Sequence, residues 1–141
     1  MDIKEQYQVL EFGEFGDERG NLVVAECCGM DVPFTVKRVF YMYGSDATVI
    51  RGRHANRKTE FVLINVSGSS KVRVDNGFET DIVELNRPRM GLYLPTMLWK
   101  DMYEFSEDSV LLVLASEHYD DSEYIRDYEE FLNEVGGRHH E

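Results

Sequence analysis

The chain has 141 residues, of which 43% are hydrophobic, and it carries a net charge of −12. That length suits one ordinary domain able to bury roughly two thirds of the surface its unfolded form exposes, the composition excludes a disordered chain, and no apolar run approaches the ~20 residues needed to cross a bilayer. The acidic balance excludes a nucleic-acid backbone as the general partner, because phosphate binding needs a concentrated cationic surface.

Residues 1–6 lack the basic flank and apolar centre of a secretory signal, so a soluble, cytoplasmic protein is expected. Residues 7–15 mix apolar with acidic side chains and end in a turn bracketed by Gly16 and Gly20. Residues 21–28 read as a strand that Gly29-Met30-Asp31 breaks. Cys27 and Cys28 are adjacent, and neighbours in a strand point to opposite sides. They are expected as small packed residues rather than a disulfide or a metal clip. After Val32-Pro33, residues 34–43 form the most β-branched and aromatic segment, a predicted strand with Val39, Tyr41 and Tyr43 on one face.

A loop at 44–48 leads to residues 51–60, where Arg51, Arg53, His54, Arg57 and Lys58 stand directly before the apolar run 61–66. Charge held at the mouth of a buried strand costs solvation free energy unless a ligand or partner uses it, so function is sought here first. A small anionic ligand in this basic stretch is compatible with an acidic whole, because much of the acid lies in residues 117–134.

Beyond a turn at 67–70, residues 71–75 alternate polar with apolar, Asp75-Asn76-Gly77 is a hairpin turn, and 78–85 is the partner strand. A turn at 87–91 precedes a short strand at 92–94. Residues 97–105 alternate again, with Trp99, Asp101, Tyr103 and Phe105 opposite Leu98, Lys100, Met102 and Glu104. The run 110–115 is apolar throughout and predicts a strand buried on both faces. From Ser122 the period changes: Tyr124, Ile125, Tyr128, Phe131 and Leu132 form a helical stripe. This predicts an α-helix over about 121–135, capped by Asp120-Asp121-Ser122 and ended by Gly136-Gly137, with a frayed tail at 136–141. Many short strands and one closing helix give an all-β fold, one domain over 1–141, built as a sandwich or barrel with a C-terminal α-helix.

The spacing His54-x-Asn56-x-x-x-Glu60 ahead of Gly68, with Pro88 and Gly91 three apart rather than two, comes close to a double-stranded β-helix pattern, the jelly-roll barrel of a cupin. Many cupins hold a metal through a His-x-His pair, a Glu on the same strand and a further His on a second strand. Dehydrating a divalent cation takes three or four convergent ligands. Only His54 and Glu60 of such a set are present, and Lys100 puts a fixed cation where the second-strand His would sit. No metal and no other cofactor is expected.

Several words of the sequence carry a closer likeness: Asp17-Glu18-Arg19-Gly20, Val32-Pro33-Phe34-Thr35-Val36-Lys37-Arg38-Val39, Arg51-Gly52-Arg53-His54-Ala55, Gly91-Leu92-Tyr93, Leu98-Trp99, Met102-Tyr103-Glu104-Phe105-Ser106, and Val113 through Asp120 with its continuation to Tyr128. In these the chain resembles the dTDP-4-keto-6-deoxyhexose 3,4-ketoisomerases, metal-free cupins on the route to amino sugars of bacterial surface polysaccharides. The resemblance implies proton transfer through an enediol, in which a base removes the proton at C3 and an acid returns one at C4. His54 falls on the family's first motif histidine, which implies a general base; the plainer reading is a hydrogen-bonded structural histidine at a strand mouth.

The chain also departs from the family. His54-Ala55-Asn56 stands where His-Ala-His is usual, so position 56 carries an amide that can orient a sugar hydroxyl but not exchange a proton near pH 7. Phe40-Tyr41 replaces Tyr-Tyr, and Trp99-Lys100 replaces Trp-His or Trp-Arg, while Arg19 keeps the family's Arg-Gly pair. Lys100 is either a solvated lysine or a pocket cation able to hold the diphosphate, steady an enediolate or act as the acid. The resemblance favours the pocket role and makes Lys100 the second catalytic candidate. Arg51 and Lys58 are candidates for the diphosphate, with a structural ion pair equally open for Lys58. Arg19 is a further substrate-binding candidate, and Tyr41 and Tyr43 are candidates for sugar or thymine contact beside the plain reading of packed aromatics. The implied partners are a dTDP-sugar and a second copy in a homodimer. A non-catalytic sugar-nucleotide binding protein and a structural cupin whose basic patch docks an acidic protein stand as alternatives.

Overall fold

The computed structural model describes residues 2–137. Its strands are β1 (Gln8–Glu11), β2 (Gly13–Asp17), β3 (Gly20–Val24), β4 (Arg38–Tyr43), β5 (Arg51–Asn56), β6 (Phe61–Ser67), β7 (Ser70–Asp75), β8 (Thr80–Leu85), β9 (Met90–Leu94), β10 (Trp99–Tyr103), β11 (Val110–Ala115) and β12 (Tyr124–Ile125), followed by α1 (Tyr128–Val135). One five-stranded sheet runs β1-β9-β6-β11-β4 and a second runs β12-β5-β10-β7-β8, while β2 and β3 form a separate hairpin. Every pairing is antiparallel.

Alternation puts Phe61 and Leu63 of β6, Leu92 and Leu94 of β9, and Leu111 and Val113 of β11 on the inner face of the first sheet. They meet Val72, Val74, Val83, Leu85 and Met102 of the second sheet in one continuous core, the interior of a cupin jelly-roll barrel. β11 is buried on its barrel face but only partly covered on the other, where Val110 and Leu112 are half-buried although its unbroken apolar run predicts burial on both. Leu111, Val113 and Ala115 point into the barrel, and Leu114 packs outside it with Val32 and Phe34.

The structure departs from the sequence reading in five further places. Residues 8–17 form β1 and β2, although their side chains are almost all exposed and give no apolar period to read. β4 begins at Arg38 rather than at 34, because Val32 and Phe34 anchor a loop whose carbonyls accept from Gly29 N and Cys28 N. Cys27 and Cys28 lie in that loop rather than in a strand, and both are free thiols. The basic stretch is itself a strand, β5, and not only the approach to one.

The fifth of these departures is the helix, which spans Tyr128–Val135 rather than 121–135. Residues Asp121–Glu123 form a 3-10 turn, and Tyr124-Ile125 pair with Asn56 and Ala55 on the open edge of β5. Satisfying that edge wins over helical propensity, and Asp127 then caps α1 by accepting from Glu129 N. Tyr128, Phe131 and Leu132 remain a helical stripe, and they pack with Trp99 and Ile125 in a small core of their own. Gly136 ends the helix in the left-handed conformation expected of it. The rest of the expected tail, residues 138–141, lies outside the described residues. No helix among the described residues is long and apolar enough to cross a membrane.

Candidate active site

The basic stretch is bent by a β-bulge. Along the pairing with β10, Lys100 faces His54 and Asp101 faces Gly52, which leaves Arg53 as the extra residue. Gly52 and Arg53 both have left-handed backbones, with φ of 85° and 58°. At Gly52 this is obligatory: a Cβ would lie 2.9 Å from the Lys100 carbonyl oxygen. The bulge turns the Gly52 carbonyl back onto His54 Nδ1 at 3.0 Å. A carbonyl only accepts, so Nδ1 carries the proton and Nε2 keeps its lone pair. Burial, reinforced by the nearby Lys100 charge, lowers the His54 pKa to about 4, so near neutral pH the imidazole is an unprotonated base.

Lys100 lies opposite on β10, where the alternation of that strand sends it and Met102 into the barrel. It is 5% exposed, and burial lowers its pKa to about 7 against an upward pull from Glu123. Its Nζ lies 4.5 Å from the centre of the Phe61 ring and donates to Asn56 Oδ1 at 3.2 Å. Asn56 Nδ2 in turn donates to Glu123 Oε2 at 2.8 Å. The same carboxylate accepts from Thr59 Oγ1 and from the backbone N–H groups of Lys58 and Thr59. Burial opposes ionisation of Glu123, but these donors outweigh it and hold the carboxyl below the usual range, so it is an anion.

His54 and Lys100 line one cavity of about 90 Å³, closed otherwise by apolar and aromatic side chains that include Phe40, Phe61, Met102 and Tyr124. The volume holds the reacting end of a small molecule and leaves a nucleotide outside, since whole-ligand pockets run to several hundred Å³. At the wall the Tyr124 ring lies 4.8 Å from that of His54. Arg38 sits over the rings of Phe40 and Tyr119 and donates to Tyr124 Oη at 3.5 Å. Its Nε is buried without a hydrogen-bond partner among the described residues. A neutral imidazole and an ammonium held together in a largely apolar cavity can take and give protons at one substrate, with their electrostatics little screened.

The expected site residues are thus only partly brought together. His54 and Lys100 share the cavity. Asn56, expected to orient a sugar hydroxyl, is 1% exposed with both ends of its amide engaged. Tyr41 and Tyr43 stack on each other on the outer face of β4, 61% and 72% exposed, whereas Phe40 is the member of that strand lining the cavity. Arg51 is exposed at the start of β5, and Lys58 lies two residues past its end beside a groove formed with His118, Tyr119 and Asp120. The two cations thus belong to opposite ends of β5. Arg19 is exposed in the β2–β3 turn, paired with Asp17. The sequence reading missed Arg38, Glu123 and Tyr124 as site residues, though each lies in a word that carried the family likeness. A charged or aromatic residue next to that word's known positions was the available signal.

Comparison with known proteins adds the family. The family model described as "FdtA: WxcM-like, C-terminal" matches residues 5–136. A TDP-4-oxo-6-deoxy-alpha-D-glucose-3,4-oxoisomerase of Aneurinibacillus thermoaerophilus is 40% identical over 124 residues, 88% of each chain. The crystal structure of a 3,4-ketoisomerase from Helicobacter canadensis is 40% identical and superposes with a TM-score of 0.89 over 92% of this chain and 97% of its own. The 3,4-ketoisomerase QdtA from Thermoanaerobacterium thermosaccharolyticum, in a histidine-to-asparagine mutant bound to TDP-4-keto-6-deoxyglucose, is 39% identical with a TM-score of 0.89 over 92% and 94%. By sequence over nearly its whole length, and by fold, this chain belongs to the FdtA, WxcM-like family of cupin 3,4-ketoisomerases.

Proposed function

We propose that this chain is a sugar-nucleotide 3,4-ketoisomerase that moves the carbonyl of a TDP-4-keto-6-deoxyhexose from C4 to C3, in the cytoplasm and toward deoxyamino sugars for surface polysaccharide. The observation that carries the reading is the pairing of an unprotonated His54 with a Lys100 that titrates near neutrality in one half-enclosed cavity. His54 Nε2 takes the C3 proton while Lys100 protonates O4, which yields an enediol. Loss of the O3 proton and return of a proton to C4 then leave the carbonyl at C3, with no net change in atoms or electrons. The cavity takes the reacting end of the hexose, so the diphosphate lies outside it, where Arg38 at the rim together with either Arg51 or Lys58 holds it, and Arg19 is a more distant candidate already paired with Asp17.

A second reading, a nucleotide-sugar binding protein without catalysis, is favoured by Asn56 in place of an imidazole. Incubation with dTDP-4-keto-6-deoxyglucose in heavy water separates the two. Deuterium entering at C4 of the 3-keto product, with formation of that product slowed by about 10²-fold or more in His54→Ala, is the result expected of the enzyme. No exchange in a protein that dTDP still stabilises against heat would leave the binding reading alone.

The protein acts as a homodimer on this reading. Phe15 and Leu22 of the β2–β3 hairpin are each 62% exposed, and Val39, Tyr41 and Tyr43 add a further apolar face. Beside them Phe12, Val23, Ile64 and Leu112 line an open hollow of about 460 Å³. An apolar surface of this kind on an acidic protein fits a second copy. Leu22→Glu is expected to shift a dimer to monomer in light scattering, and a wild-type monomer at micromolar concentration would remove the homodimer from the proposal.

A further inference from the structure

At the buried end of β5 two polar side chains are arranged in a way that proton transfer by His54 and Lys100 does not by itself require. Glu123 is 3% exposed, and Thr59 Oγ1 with two backbone N–H groups already gives its carboxylate three donors. The fourth donor, Asn56 Nδ2, has a different consequence. A carboxylate only accepts and an ammonium only donates, so an amide lying between them satisfies both in one orientation, nitrogen toward Glu123 and oxygen toward Lys100. The carboxylate thereby sets which amide atom Lys100 meets. The other walls around Lys100 are apolar, with Phe61 of β6 beneath the ammonium and Val74 of β7 beside it in register.

We propose that Glu123 is a positioning residue which, acting through the Asn56 amide, holds the Lys100 ammonium in place beside His54. The segment between the barrel and α1 is then part of the acid–base machinery. The inference rests on the ketoisomerase reading for its catalytic meaning but not for its geometry. The charged and titratable groups around the pair are His54 and Glu123, with Tyr124 of β12, Arg126 beyond it and Arg38 of β4 at the rim.

The test is an NMR pH titration of Lys100 in protein labelled with ¹³C at lysine Cε, which needs no substrate, beside the pH dependence of kcat. In Glu123→Gln the new carboxamide presents an NH₂ group. Asn56 turns its oxygen to it and its own nitrogen to Lys100, so the lysine loses both its acceptor and its nearby anion. Its titration is expected to fall by about one pH unit. Above pH 7 kcat then drops about tenfold, following the protonated fraction, with KM within about twofold. Adding Asn56→Asp restores an anion and an acceptor facing Lys100, and both readings recover. Asn56→Leu separates positioning from charge: it cuts the bridge while leaving Glu123 its charge and its other three donors, and a lysine shift in the same direction, smaller because the anion stays, is expected with a fall in kcat. If Glu123 acts through its charge or its stability alone, Asn56→Leu leaves the lysine titration unmoved; that result overturns the proposal. A shifted Lys100 titration in a protein with no isomerase activity upholds the positioning role and removes the ketoisomerase reading.

Discussion

Lys100→Met puts a number on the cost of burying the candidate acid. Folding lowers this lysine from 10.5 to about 7, chiefly by burial. At about 1.4 kcal/mol per pH unit, that fall corresponds to about 5 kcal/mol of destabilisation while the buried ammonium is charged. Methionine fills a similar volume without charge but leaves Asn56 Oδ1 without its donor, which costs about 1–3 kcal/mol. The variant is therefore expected to be more stable than wild type by about 2–4 kcal/mol at pH 6, roughly 10 °C in Tm for a chain of this size. The sign of the pH dependence follows from the two states. Below pH 7 the lysine is protonated folded and unfolded, and the full cost is present. Between 7 and 10.5 only the unfolded chain is protonated, so raising the pH favours the folded wild type by about 1.4 kcal/mol per unit. The advantage of Lys100→Met should shrink steadily from pH 7 and vanish between about pH 8.5 and 10, while its isomerase activity is lost at every pH. Urea denaturation at pH 6, 8 and 9.5 measures this. A stability difference that stays constant over that range, or a variant less stable than wild type at pH 6, would refute the reasoning.

Two further outcomes follow from the same geometry. A base that must be unprotonated, with pKa about 4, and an acid that must be protonated, with pKa about 7, predict a bell-shaped kcat/KM profile, rising through about pH 4 and falling through about pH 7; an activity still climbing at pH 9 would exclude Lys100 as the acid. Gly52→Ala forces a side chain into a left-handed backbone 2.9 Å from the Lys100 carbonyl oxygen. It is expected to cost about 1–3 kcal/mol in denaturant melts and to cut kcat by tenfold or more as the bulge shifts the His54 ring.

Where the side chains themselves keep time, the sequence was readable. The unbroken run in β11, the alternation of β10 that sends Lys100 and Met102 inward, and the cation cluster around His54 each report a local environment that one strand imposes. The helix boundary was not readable in this way, since Tyr124 and Ile125 fit a helical stripe and a strand pair equally well. Only the vacant edge of β5, about seventy residues earlier in the chain, decides between them. The same nonlocality hid Glu123, which reads as one acid among many in an acidic segment until the fold lays it against Asn56. Likewise, Tyr41 and Phe40 are neighbours of equal β propensity, and only the placement of β4 at the sheet edge says which of them looks into the barrel.

The second barrel sheet is closed at one edge by β12, a two-residue strand from the same short segment that carries Glu123. Trimming the chain after β11 therefore removes more than a surface helix. It reopens the edge of β5, takes from the Asn56 amide its carboxylate acceptor and uncovers Trp99, so a shortened chain keeps His54 and Lys100 but loses what fixes one relative to the other.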